Sequence, residues 1–237
     1  MTPPTGPIPR VEAREIVFDF LDGYDLLGAF WVTVKLTALS AVGSLIWGTV
    51  LAAMRVGPVP LMRGFATGYI NIVRNIPLTV IIVFTSLGLS QTLSINLGAS
   101  DFKTINFRLA VLGLILYTST FVCEAVRSGI NTVPMGQAEA ARALGLNFRQ
   151  VLTLIILPQA FRSVVNPLAN VLIALTKNTT IAAAIGVGEA AVLMKEMIEN
   201  EAELVLISLV FAFGFVVLTL PTGLILGWVS KKVAIKR

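Results

Sequence analysis

SGINTVPMGQAEAARALGLNFRQVLTLIILPQAFR, running from Ser128 to Arg162, decides how this chain is read. The stretch is polar at its start, lies between two long apolar runs, and is too long for a plain connection between neighbouring helices. It reads as two short helices. Thr132 is placed to cap the first, with Pro134 in its opening turn, where a missing N–H costs nothing. Gln137 to Leu144 holds strong helix formers, and Ala138, Ala140, Ala141 and Ala143 present a surface of methyl groups. Gly145 suits the left-handed conformation that ends a helix, Asn147 suits the cap of the next, and Pro158 marks the end of that second segment. A helix covered in alanine has little to bury by itself. It needs a partner whose surface can approach its backbone closely, and a groove on another protein meets that need.

The sequence on either side is a membrane sequence. Of the 237 residues, 56% are hydrophobic and 13% charged, and the mean hydropathy is +0.86, against about 25% charged residues in soluble domains. A spanning helix needs about 20 mostly apolar residues, and five segments meet that demand: Leu27–Met54, Phe65–Leu89, Leu109–Val126, Val164–Ile185 and Leu204–Val229. Pro77, Pro167 and Pro221 fall inside them, so the freed carbonyls need satisfaction from neighbouring helices or water, which points to a shared interior. With the N-terminus outside, the inside segments carry ten basic residues: Arg55, Arg63, Arg127, Arg142, Arg149, Arg162, Lys231, Lys232, Lys236 and Arg237. The outside segments carry five: Arg10, Arg14, Lys103, Arg108 and Lys195. That imbalance places the N-terminus outside, the C-terminus in the cytoplasm and the Ser128–Arg162 loop on the cytoplasmic side.

The domain reading follows. Residues 1–25, with closely spaced prolines and five carboxylates, form an extracytoplasmic polar tail without the apolar run of a signal peptide. Residues 26–230 form one all-α transmembrane domain that includes the loop at 128–162, and residues 231–237 form a basic cytoplasmic tail. The chain has no histidine and a single cysteine, Cys123. A His-ligated zinc site, a His-based triad and an internal disulfide are thereby excluded. No G-x-x-x-x-G-K-[ST] loop occurs, so nucleotide has no P-loop here. The net charge of +5 is spread among short loops rather than gathered with aromatics, unlike a nucleic-acid surface.

Glu139-Ala140-Ala141, then Gly145, then Ile156-Leu157-Pro158 resemble the EAA loop of permease subunits in bacterial ATP-binding-cassette importers. Tyr69 to Leu78, with Arg74 and Pro77, is similar to a signature of the polar amino acid permeases, although Asn75 and Ile76 stand where that group usually has glycine and threonine. Lys177-Asn178-Thr179-Thr180, followed by Ile185-Gly186-Val187, resembles a second signature of the group. Within it, AFWVTVKLTALSAVG, NFRLAVLGLILYTSTFV and IALTKNTTIA look most like the glutamate-uptake permeases of actinobacteria. The resemblance implies a type I importer permease of five spans whose first loop helix is a coupling helix seated in a cleft of a separate ATPase. Pro134, Glu139, Ala140, Ala141 and Gly145 would form that coupling element. ATP and Mg would sit on the ATPase dimer, with no cofactor on this chain. A second, related but distinct permease subunit, an extracellular binding protein, membrane lipid and a bacterial plasma-membrane location are also implied. Glutamate is the implied cargo, with aspartate or glutamine as alternatives.

Charged groups within the hydrocarbon are costly and usually face an interior or a partner. At about 100° per residue, Asn166, Asn170, Lys177 and Thr180 share one face of the fourth span. This stripe either lines a translocation path in which Lys177 attracts a carboxylate, or hydrogen bonds to a second subunit. Arg74 precedes the break at Pro77, where a new helix start could offer donors to an anion; alternatively it reaches the inner headgroups or holds the broken helix. Lys35 reads as a snorkelling lysine near the outer end of its span. Glu124 and Arg127 read as an intrahelical ion pair, and Glu196, Glu199, Glu201 and Glu203 as a solvated outer loop. An ion-driven secondary transporter is the rival of a different class. It would call for internal repeats and intramembrane carboxylates, and the sequence offers only Glu124, at a span end.

Overall fold

The computed structural model describes residues 23–233 and is helical throughout its regular structure. Helix α1, Leu26–Val56, starts on Asp25, whose carboxylate accepts the Gly28 N–H at 2.8 Å. Helix α2, Pro60–Asn75, opens on a proline, where no donor is lost. Helix α3, Leu78–Val83, continues as a π-helical stretch, Phe84–Thr92. Helix α4, Phe102–Asn131, is capped by Asp101 accepting from the Thr104 N–H at 2.8 Å. Helix α5, Met135–Ala143, is the short helix of the loop. A helical turn at Phe148–Gln150 and a π-helical stretch, Val151–Ile156, then lead into helix α6, Leu157–Asn178, which tightens to a 3₁₀ helix at Thr179–Ile185. Helices α7, Ala190–Glu201, and α8, Leu204–Val233, complete the chain.

Among the described residues, four helices are long and apolar enough to cross a membrane, and the pair α2 and α3 makes a fifth if taken as one broken span. That pair starts earlier than the second span expected at Phe65–Leu89 and breaks at Pro77, as the sequence suggested. Pro77 cannot donate to the ladder and pushes Ile76 to an extended ψ of 131°, so the chain bends by 103° between Asn75 and Leu78. The fourth span also starts earlier than expected. Pro158 does not end a separate helix; it occupies the first turn of α6, where proline is tolerated, and the helical path runs unbroken from Val151 to Ile185. Pro167 and Pro221 lie inside α6 and α8 without ending them. The last membrane-spanning stretch, Leu204–Val229, falls where the sequence placed it, with α8 running on to Val233, whereas the tails at 1–22 and 234–237 lie outside the described residues.

Helix α4 is the centre of the packing. Its Ala110 and Leu114 meet Leu36 of α1, Leu78 and Ile82 of α3, Leu175 of α6, and Ala182, Ile185 and Val187 beyond it. In lipid the hydrophobic effect does not drive helices together, so close approach at small residues carries the association. At Gly48 of α1 a Cβ would fall 2.6 Å from the Val122 Cβ and 2.7 Å from the Ser119 carbonyl oxygen. The backbones of α1 and α4 can meet there only because Gly48 has no side chain. Gly48→Val is therefore expected to destabilise the protein by about 1–3 kcal/mol, read as a lower thermal midpoint in detergent. Gly68→Ala, with no atom within 4 Å of the added Cβ, is expected not to lower it.

Candidate functional site

Two features stand out: the surface of α5 and a groove between α4 and α6. The sequence from Gln137 to Gly145 builds the first. At its end Gly145 takes φ +85°, and its N–H donates to the Arg142 carbonyl at 2.9 Å while the Leu146 N–H donates to the Ala141 carbonyl at 3.1 Å. This pair of bonds is the glycine-terminated end that the sequence suggested. Asn147 caps the next segment, also as expected, in a reciprocal box: its carboxamide oxygen accepts from the Gln150 N–H and the Gln150 carboxamide oxygen accepts from the Asn147 N–H, each at 2.9 Å. The start differs. Pro134 itself is the N-cap of α5, and Thr132 instead closes α4, its hydroxyl 2.7 Å from the Gly129 carbonyl and 2.8 Å from the Ser163 hydroxyl.

On α5, Pro134, Glu139, Ala140 and Gly145 are exposed, whereas Ala141 is buried against the rest of the chain. Met135 and Leu144, at the two ends of the helix, are 78% and 82% exposed. The sequence reading passed over both as apolar anchors; their positions directly inside the proline and the glycine were the available signal. The helix is tethered to α6 by the Gln159 side-chain amide, which donates to the Gln137 side-chain oxygen at 2.6 Å. Beside this tether, a Cβ at Gly129 would fall 2.1 Å from Val164 Cγ2 and 3.0 Å from the Ala160 carbonyl oxygen. Above the loop, Glu124 joins α4 to α1: Arg55 bonds one carboxylate oxygen and Arg127 lies 3.8 Å from the other. The expected Glu124–Arg127 pair is thus part of a three-residue cluster.

The groove has a volume of about 350 Å³ and is lined by Tyr117, Thr118 and Phe121 of α4 and by Asn170, Ala174 and Asn178 of α6, among others. The Thr118 hydroxyl is buried with no hydrogen-bond partner among the described residues. Its neighbours Ser119 and Thr120 donate to backbone carbonyls, so Thr118 holds an unused polar group at the wall of the groove. Two carboxamides and a phenol add donors and acceptors without a fixed charge. Of the expected stripe, Asn170 lines this groove. Asn166 and Lys177 are exposed elsewhere along α6, and the Thr180 hydroxyl donates to the Lys177 carbonyl at 2.8 Å. Arg74, on the last turn of α2, is exposed and is not brought to the groove. Asn178 was not singled out in the sequence, although it lies eight residues, two turns, beyond Asn170.

A further residue went unread. Glu189, expected neither as a site nor as a buried carboxylate, is fully buried at the start of α7. One oxygen accepts from the Ala191 N–H at 2.9 Å and the other from the Thr33 hydroxyl of α1 at 3.3 Å. It is not among the groove's lining residues. Burial pushes its carboxyl from 4.5 up to about 7, outweighing these hydrogen bonds, which favour the charged form.

Comparison with known proteins supplies a context for this geometry. A family model described as binding-protein-dependent transport system inner membrane component matches residues 31–235. A glutamate transport system permease protein, GluC, of Corynebacterium efficiens is 58% identical over 220 residues, covering 91% of this chain and 96% of that protein. The protein of the same name from Corynebacterium glutamicum is 57% identical with the same coverage. Among solved structures, one described as an amino acid ABC transporter with histidines aligns with a TM-score of 0.77 and 26% identity, covering 87% of this chain and 93% of that one.

Since the folded chain holds the Glu189 proton more tightly than the unfolded chain, the stability this group contributes is fully present below pH 4.5 and is lost as pH rises through about 7. The thermal midpoint of the purified protein is expected to fall across that window. Glu189→Gln, which keeps the shape and cannot ionise, is expected to flatten the profile.

Proposed function

The chain belongs to the family of binding-protein-dependent transport system inner membrane components, and from that membership we propose that it carries glutamate inward as one permease of an ATP-driven importer. It is a multi-pass membrane permease subunit of the ATP-binding-cassette class. The observation that carries the choice of cargo is the 58% identity to a glutamate permease, spread over nine-tenths of the chain. Aspartate and glutamine differ from glutamate by one methylene or one charge, and competition among the three separates them.

Energy would enter at α5. In this reading Pro134, Glu139, Ala140, Ala141 and Gly145 form the coupling element, with Met135 and Leu144 as the side chains that fill a cleft on a cytoplasmic ATPase dimer. ATP and Mg would bind there, and this chain would perform no hydrolysis. The Gln137–Gln159 bond ties α5 to one stem of the loop, and the Thr132–Ser163 contact and the Gly129 junction join the two stems to each other. Those stems are α4 and α6, the two walls of the groove, so a push on α5 would alter the spacing of the walls. Tyr117, Thr118, Asn170 and Asn178 would line the cargo's path, while Lys177 and Arg74 would act at its approaches, with Asn166 and Thr180 along the same stripe. A second, distinct permease would complete the path, because one chain leaves the groove open on one side. An extracellular binding protein would deliver the cargo, with the N-terminus outside and the C-terminus in the cytoplasm. The buried carboxylate Glu189 does not favour the ion-driven alternative, since one of its oxygens caps α7 and the other bonds Thr33 of α1.

In cells lacking their own system, labelled glutamate uptake dependent on this chain is expected to be competed by unlabelled glutamate well before aspartate or glutamine. Stronger competition by glutamine would overturn the cargo. Replacing Glu139 and Gly145 with bulky residues is expected to abolish co-purification of the ATPase while the permease still reaches the membrane. Thr118→Val with Asn178→Ala is expected to lower uptake by about tenfold or more, the loss of two hydrogen bonds to the cargo, with the ATPase still bound.

A further inference from the structure

The exposed face of α1 repeats every three or four residues through Leu27, Trp31, Leu39, Val42, Ile46 and Val50. Trp31, Leu39, Val42 and Ile46 are each more than half exposed, as expected of a helix face against acyl chains. Lys35 falls in register on this face, one turn from Trp31 and one from Leu39, and is itself exposed. Of the residues on this stripe it is the charged one.

Lys35 does not stand alone. It lines a pocket of about 460 Å³ with Lys103 and Thr104 from the first turn of α4, the Phe107 ring, and the bend at Gly186 and Gly188. Its ammonium lies 5.9 Å from the centre of the Phe107 ring. Neither lysine is in an ion pair among the described residues, and the neighbouring Asp101 carboxylate is engaged in capping α4. Two cations therefore converge on one opening with no anion among the lining residues, and the opening adjoins an apolar face. A tryptophan one turn away is the usual mark of the membrane interface.

We propose that this pocket binds the headgroup of an anionic phospholipid, with the phosphodiester between Lys35 and Lys103 and an acyl chain along Leu39 and Val42. The charge pattern fits a diester anion, and the adjoining stripe fits its chains. The pocket shares no lining residue with the groove between α4 and α6. Its opening adjoins the exposed apolar face of α1 through Lys35 and Leu39. Thr104 and the two glycines of the bend, Gly186 and Gly188, leave room for the glycerol end of the headgroup.

The test uses the assembled transporter in nanodiscs containing phosphatidylglycerol and phosphatidylcholine in equal amounts, followed by native mass spectrometry of retained lipid. The expected result is selective retention of phosphatidylglycerol, reduced about tenfold in Lys35→Gln/Lys103→Gln and kept in Lys35→Arg/Lys103→Arg, with all variants still carrying their partner subunits. Equal retention of the two lipids, or equal retention by the glutamine variant, would overturn the proposal. Displacement of the retained lipid by millimolar inorganic phosphate or glutamate would assign the pocket to a soluble anion instead. Lack of any retained lipid together with protection of Lys35 by a second permease would assign the face to that subunit and also overturn it. None of these outcomes depends on which amino acid the transporter carries.

Discussion

The contact at Gly129 is the constraint on which the rest of the arrangement depends. There α4 and α6 approach so closely that a single methyl group would collide with Val164 and the Ala160 backbone. Because the two stems meet at this point, the loop between them cannot swing as a free connection. Helix α5 is held to α6 by a side-chain bond from Gln159, while the Thr132 and Ser163 hydroxyls join α4 to α6 beneath the groove. In a bilayer, where packing rather than water exclusion joins helices, such a junction has few substitutes. The groove with its unpartnered Thr118 hydroxyl lies between the two helices that α5 and its exposed surface connect.

Much of this was legible in the sequence because it rests on local rules. Gly145 and the Asn147–Gln150 box are turn chemistry, fixed by the residues themselves, and both form as read. Length and hydropathy found the membrane-spanning segments. The misses came where a distant neighbour decides. Thr132 was free to cap either the helix behind it or the one ahead, and Ser163, thirty-one residues away, favours its place at the end of α4. Pro158 reads as a terminator, yet proline in a first turn costs nothing, and α6 simply begins there.

The polar residues divide in the same way. An ideal-helix projection grouped Asn170 with Lys177, but the wall of the groove is set by how α6 turns against Tyr117 and Phe121, which brings Asn178 inward instead. Glu189 escaped notice because a glutamate between two glycines and alanines looks solvated. Its burial depends on Thr33, more than 150 residues earlier in the chain. Lys35 was read as a lysine reaching for the interface, which is compatible with its exposure; only the fold shows that Lys103 faces the same opening.

The account stands on α5 being the surface through which an ATPase acts. Gly136, exposed on α5 with no atom near an added Cβ, can carry a cysteine without disturbance, and the native Cys123 is fully buried. Maleimide labelling of Gly136→Cys in the permease alone and in the complete transporter tests the claim most directly. Strong protection in the complex, altered again on adding ATP and Mg, is the predicted result. Equal labelling rates in the free permease and in the active complex would contradict it.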